Sequence, residues 1–228
     1  IPKSDSTKYQ HWLTYTYKNI NIHYPPKHPL EDNIKDLPPK YITSIKQNCR
    51  LLNIDVPKET LDIYFYSGLG QGQEMTGQQY PYAEKNTIHF WLPAYYGTTI
   101  MKYLIPKWQK DEPQFQFLKH GLLALLDNAG KNYHITTLDY VNNGKIIPLS
   151  QLVVDTSINC ERERYQSAFA ASFVDFILFY YSIEALNLLY TSQLNFETTV
   201  KRVFNISVDS LQNLWLNTVK EVVVEKEK

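Results

Sequence analysis

The residues best spaced for chemistry lie in Phe115-Gln116-Phe117-Leu118-Lys119-His120-Gly121-Leu122-Leu123-Ala124-Leu125-Leu126-Asp127. Placed on a helix at about 100° per residue, Phe115, Leu118, Leu122, Leu125 and Leu126 share one apolar arc. Gln116, His120, Ala124 and Asp127 fall on the opposite arc, so His120 does not belong to the greasy stripe. An imidazole there could ligate a metal or move a proton, or simply bond to a neighbour at a surface or cleft. Asp127 cannot complete a metal site from the same helix: seven residues at ~1.5 Å each separate the two Cα atoms by ~10 Å, against ligand distances of ~2 Å. A rearranged site would need His120 or Asp127 together with His134 or Asp139 from the following connection.

Other groups make weaker cases. Gly68-Leu69-Gly70-Gln71-Gly72 follows an alternating segment but lacks the Gly-x-Gly-x-x-Gly spacing and any Lys-Ser/Thr, so it is no phosphate loop. Its Gln and Gly could line a groove for a polymer or peptide, but it reads better as a mobile, solvated loop. No Gly-x-Ser-x-Gly elbow marks a nucleophile. His11, His23, His28 and His89 have no mutual spacing that suggests ligands. Glu161, Arg162, Glu163 and Arg164 read as a solvated first helical turn; Asp175 interrupts an apolar helix face, by default as an exposed position and otherwise as a buried polar partner. Asn205-Ile206-Ser207 fits a glycosylation acceptor but reads better as a loop and N-cap.

Composition bounds these possibilities. The 228 residues carry 23 Lys+Arg against 23 Asp+Glu, 43% hydrophobic residues and 18 tyrosines. The apolar content suffices for a core, disorder has no compositional support, and the basic surplus of a nucleic-acid binder is missing. The longest apolar stretch, Ala168 to Tyr181, is broken by Ser172 and Asp175 and falls short of the ~20 residues of a membrane span. Cys49 and Cys160 are too few for a cysteine zinc site and fit either one disulfide or two buried thiols. The opening Ile1-Pro2-Lys3, without Met, suits an exported and processed chain.

The elements that must hold these groups follow from periodicity. Leu13, Tyr15 and Tyr17 alternate, slip at Lys18-Asn19, and resume as Ile20, Ile22 and Tyr24, predicting strand with a bulge or turn between. Pro25-Pro26 ends it and a loop runs to Pro38-Pro39. A helix is predicted over Lys40 to Asn53, a strand at Leu61, Ile63 and Phe65, and a third at Ile88, Phe90 and Leu92 with His89 and Trp91 on its other face. Helices follow at about Pro113 to Asp127 and Glu161 to Tyr181, where Ala168, Ala170, Ala171 and Ser172 allow close helix contact. Ser182-Ile183 breaks to a shorter helix ending at Tyr190, and Leu211, Leu214, Trp215, Thr218 and Val219 define a last helix capped by Ser207. The fold class is α+β: a small N-terminal mixed sheet with helices (about 12–112), then a mainly helical half (about 113–220), in one domain.

That order resembles the peptidase MA-like domain of the gluzincin zinc metallopeptidases, with a thermolysin-like arrangement. Besides the His120 helix, the likeness rests on Ile147-Pro148-Leu149-Ser150-Gln151-Leu152 followed by Tyr165 to Val174, similar to a "PLSxL … YxxAxSFVxYL" run. Phe196-Glu197 through Ser207, Leu211 and Trp215 is similar to the closing "FExAxxxxFGxSxxxLxxxW" segment. In that family His-Glu-x-x-His grips zinc with two imidazoles one helical turn apart, and the Glu activates the bound water. This chain reads His120-Gly121-Leu122-Leu123-Ala124 instead, and no Glu stands where the third ligand belongs, around His134 to Tyr140.

The resemblance therefore implies a pseudo-metallopeptidase: no catalytic residue, no metal and no cofactor. A vestigial cleft would be marked by Gln116, His120, Asp127 and His134, in a residual groove between sheet and helices that takes a peptide, protein or polysaccharide. It implies an extracytoplasmic location, with no nucleic acid and no membrane span. The rival is an active metallopeptidase or other hydrolase with relocated ligands, and a third possibility is a structural anchoring domain of the cell envelope.

Overall fold

Two runs of alternating apolar residues, joined by Lys18 and Asn19, fold back on each other as β1 (Leu13–Tyr17) and β2 (Ile20–Tyr24). The turn puts Lys18 at φ 53°, a left-handed conformation that resolves the slip in the pattern as a turn rather than a bulge. The computed structural model describes residues 9–91, 97–127, 131–154 and 160–224, the side chains of 160–165 and 222–224 excepted. Leu92 and the side chains of Cys160 and of Glu161 to Arg164 lie outside the described residues. The chain divides into two compact units, Ile1–Trp108 and Gln109–Lys228, and the fold is α+β.

In the first unit, β3 (Leu61–Phe65), β4 (Tyr82–Glu84) and β5 (Thr87–Phe90) complete a five-stranded mixed sheet of order β1-β2-β3-β5-β4. Strands β2, β3 and β5 run parallel, while β1 and β4 pair antiparallel at the two edges. One face presents Ile20 and Ile22, Ile63 and Phe65, Ile88 and Phe90, all buried. Each such side chain contributes roughly 1.5–3 kcal/mol by leaving water. Tyr41, on α1 (Leu37–Leu51), stacks on Phe90 at 6.1 Å over this face, and α1 packs against α3 (Gly97–Trp108). Cys49 on α1 is a buried free thiol, its pKa raised by that burial.

The expected loop before Pro38-Pro39 is instead a 3-10 helix, Glu31–Asp36, running into α1 at Leu37. The two prolines fit because the N–H groups of a helix's first turn have no intrahelical partner to lose. The Gly-rich segment expected as a solvated loop is also helical: α2 spans Leu69–Thr76 and ends at Gly77 with φ 73°. Its Gly72 lies flat on the Trp91 indole, where a Cβ would stand 2.6 Å from Cδ2. Packing, rather than propensity, makes this helix.

The second unit is all helical among the described residues: α4 (Gln116–Leu125), α5 (Tyr133–Asn142), α6 (Leu149–Val154), α7 (Cys160–Tyr180), α8 (Ile183–Thr191), α9 (Phe196–Phe204) and α10 (Val208–Val224). Helix α7 is central and packs against α4, α5, α8 and α10. Trp215 of α10 is fully buried, edge-on to Phe169 and Phe173 of α7 at 5.9 and 5.5 Å. Helix starts are fixed by side-chain caps: Asn132 accepts from Ile135 N–H, Ser182 from Ala185, Asn195 from Thr198 and Ser207 from Ser210. Asn205 closes α9 at φ 59°, the αL stop that Asn tolerates, so the Asn-Ile-Ser tripeptide is loop and cap as expected. Among the described residues no helix is long and apolar enough to cross a membrane.

Candidate functional site

Helix α4 and its end hold the first three residues singled out from the sequence. His120 is exposed, as its arc requires. Gln116 is half-buried and its amide donates to the Pro113 carbonyl at 2.8 Å, tying the helix to the turn before it. Asp127, just past the helix, acts on the phenol of Tyr133: burial, and then this carboxylate, push the Tyr133 pKa up to about 12.

The next position along α4 decides what this helix can do. Gly121 is pressed against α7, where an added Cβ would stand 2.5 Å from the Ala170 carbonyl oxygen, 2.8 Å from its carbon and 2.7 Å from Val174 Cγ2. Two of these atoms are main chain and cannot rotate away. Ala124, one turn on, packs on the buried cluster of Tyr133, Ala168 and Ala171. Positions 121 and 124 therefore serve helix contact, and residue 121 admits no side chain without moving α7.

His134 is in a different setting. It is 6% exposed, on α5, with Nε2 3.0 Å from Asp175 Oδ2 and Nδ1 2.8 Å from Ser172 Oγ. The Trp215 Nε1–H donates to the same Ser172 oxygen at 3.0 Å. One donor order satisfies every group. The indole N–H donates to Ser172, whose hydroxyl donates to His134 Nδ1, and Nε2–H donates to Asp175. Asp175, whose sequence setting allows either an exposed position or a buried polar partner, is thus the half-exposed end of a buried chain of hydrogen bonds. Its side chain remains 40% accessible.

Serine, histidine and aspartate in a row invite comparison with a hydrolytic triad, but the chemistry does not follow. Ser172 is fully buried and commits an oxygen lone pair to Trp215, so its hydroxyl meets no substrate. The network joins α5, α7 and α10 in register. Ser172 and Trp215 are not among the site residues the sequence suggests. The available signal is Ser172 and Asp175 at i, i+3, the two polar residues that break the apolar stretch Ala168 to Tyr181.

Two histidines of the first unit, His23 and His89, share one row of the sheet although their spacing in sequence gives no hint of it. Cross-strand register puts Thr14, His23, Tyr64, His89 and Tyr82 in one row over the sheet face opposite the α1 side. His23 stacks on Tyr64 at 4.4 Å, Tyr64 on His89 at 5.2 Å, and His89 on Tyr82 at 4.4 Å. His23 Nε2 lies 2.8 Å from Asp62, which also accepts from Asn21. Tyr66 and His89 Nδ1 are hydrogen-bonded at 2.8 Å, and Tyr9 reaches the Tyr66 hydroxyl at 3.0 Å. Burial pulls the His89 pKa down to about 4, so this imidazole is neutral at ordinary pH. Because the rings stack on one another across strands, their faces are already occupied, which suits cohesion of the sheet better than stacking of a sugar or base.

Among the described residues no group of three or more His, Cys, Asp or Glu could hold a metal ion. In comparison with known proteins, no family model and no curated protein matches the chain.

Proposed function

We propose that this chain is a non-hydrolytic binding or scaffolding module on a gluzincin-like scaffold, acting outside the cytoplasm on a peptide, protein or polysaccharide. The observation that carries the reading is the fit of Gly121 against the α7 main chain. A water-activating carboxylate at that position would need space that α7 fills, which supports a reading without a catalytic glutamate on this helix. His134, which follows α4 closely in the chain, supports the same reading, since its two ring nitrogens are committed to Ser172 and Asp175. Without a base to deprotonate water and with one histidine of the His-Glu-x-x-His pattern left, neither hydrolysis nor tight zinc binding is supported.

The test is metal analysis and proteolysis on the same preparation. Protein loaded with excess zinc and then dialysed should retain far less than one equivalent, and a mixed peptide library should survive incubation uncut. Stoichiometric zinc that resists dialysis, with peptide cleavage abolished by a chelator, would overturn the proposal.

A further inference from the structure

The hairpin turn, α1 and the segment entering β3 surround a hollow of about 400 Å³, within the range of roughly 300–1,000 Å³ typical of small-molecule sites. Its floor is aliphatic, formed by Ile20, Ile42, Ile45 and Leu61, with Val56 and Pro57 on the wall. Three cations line it, each from a different element: Lys18 from the turn, Lys46 from α1 and Lys58 from the approach to β3. Among the described residues no carboxylate lines it. Among the described residues none of the three ammonium groups has an ion-pair partner, and Lys18 Nζ rests 5.5 Å over the Tyr17 ring. Tyr103 closes the base, its pKa pushed up to about 12 by burial, then by Glu59 and Cys49, so its hydroxyl stays protonated. Glu59 is the carboxylate that acts on Tyr103, and it stands against three lysines, a cationic surplus in a chain whose total charge is zero.

Three like charges around an apolar hollow repel one another and are relieved by an anion, whereas an apolar body removes the aliphatic floor from water. Neither feature alone selects a ligand; together they select an amphiphile. We propose that this hollow binds a compact apolar molecule bearing one anionic group, carboxylate or phosphate monoester. Its body rests on Ile42, Ile45 and Leu61, and its anion lies among Lys18, Lys46 and Lys58. The proposal is independent of the likeness to a peptidase, because the hollow lies wholly in the unit Ile1–Trp108 and Gly121 and His134 lie in the other.

Nitrogen–proton correlation NMR of the full chain tests it, with naphthoate, naphthyl phosphate, uncharged naphthamide and inorganic phosphate as probes. Naphthoate, naphthyl phosphate or both should shift the amides of Asn19, Ile42, Ile45 and Leu61 saturably, and binding should weaken as salt rises. Which of the two binds more tightly identifies the anion. Naphthamide and inorganic phosphate should each bind at least about tenfold more weakly than the better of the two. The double variant Lys46→Gln/Lys58→Gln should lose about tenfold in affinity at unchanged Tm, since both lysines are exposed. Naphthamide or inorganic phosphate binding as tightly as the charged aromatics would overturn the proposal, as would an unaffected lysine variant, shifts elsewhere, or no saturation. Any of these failures would leave the zinc and proteolysis result untouched.

Discussion

The Ala170 carbonyl oxygen stands 2.5 Å from the point where a side chain on Gly121 would begin. Two helices meet there main chain to main chain, with Ala170 and Ala171 of α7 small enough to permit the approach. A glycine inside a helix ordinarily costs about 1 kcal/mol relative to alanine. This one is the condition for the contact.

Gly121→Ala should therefore destabilise the protein despite alanine's better helix propensity. Overpacking costs about 1–3 kcal/mol, and the main-chain oxygen here cannot yield as a flexible side chain would, so the upper end applies and a net loss of up to about 2 kcal/mol is expected after the propensity gain. Urea titration followed by circular dichroism measures it. Gly121→Glu should lose more, and a Gly121→Glu variant that folds with unchanged stability would contradict the packing argument.

The Trp215–Ser172–His134–Asp175 chain makes a graded prediction. Ser172→Ala strands two buried groups at once, the indole N–H and His134 Nδ1, at about 1–3 kcal/mol each. Asp175→Ala removes an acceptor that is 40% exposed and whose place water can take, so its cost should be about 1 kcal/mol or less. Asp175→Asn keeps an oxygen able to accept from Nε2–H and should cost least. Denaturant unfolding of the three variants gives the order directly, and Asp175→Ala exceeding Ser172→Ala would show that the charge, rather than the buried serine, anchors the network.

Legibility in the sequence divides along the line between local pattern and distant contact. Strands β1, β2, β3 and β5 are readable because one face of the sheet is uniformly apolar, and α7 because its alanines imply close packing. His120 lies outside the apolar arc in the structure as in the helical projection. Helix α2, with two interior glycines, carries no helical signal of its own; the Trp91 contact that fixes it lies 19 positions away in the chain from Gly72. Helix α5 reads as a connection because Ile135, Thr136, Thr137 and Val141 favour extended backbone, and its start depends on the Asn132 cap. Helix α3 contains Thr98, Thr99 and an interior Pro106 and escapes the periodicity for the same kind of reason. The pairing of His134 with Ser172 and Asp175, and the gathering of three lysines from three elements, are tertiary events with no sequence spacing to betray them.

Gly70 and Gly72 sit in the same short helix and should respond oppositely to alanine. A Cβ at Gly70 meets nothing within 4 Å, so Gly70→Ala should stabilise by up to about 1 kcal/mol. Gly72→Ala would drive a methyl into the Trp91 ring, which is buried, edge-on to Tyr66 at 5.1 Å, and donates from Nε1 to the Gln79 carbonyl at 3.2 Å. A loss of about 1–2 kcal/mol is expected, with a shifted Trp91 indole resonance that exchanges faster with solvent. Equal behaviour of the two variants would show that the indole does not hold α2.

The ring row over the sheet predicts a pH dependence through His89. In the folded protein burial lowers its pKa to about 4, whereas an unfolded histidine titrates near ~6.5. Between those values the unfolded chain binds the proton and the folded one does not, so stability is full above about pH 6.5 and falls as the pH drops toward 4. His89 is only 9% exposed, and the gap corresponds to roughly 3 kcal/mol across the window. Buried His28, also shifted down by desolvation, adds to the slope in the same direction. His89→Gln can still hydrogen-bond the Tyr66 hydroxyl in either direction but does not titrate, so it should flatten most of the loss between pH 6.5 and 4 while leaving the smaller His28 contribution. Chemical unfolding at a series of pH values compares the two proteins, and parallel curves would mean that His89 is not kept neutral by the fold.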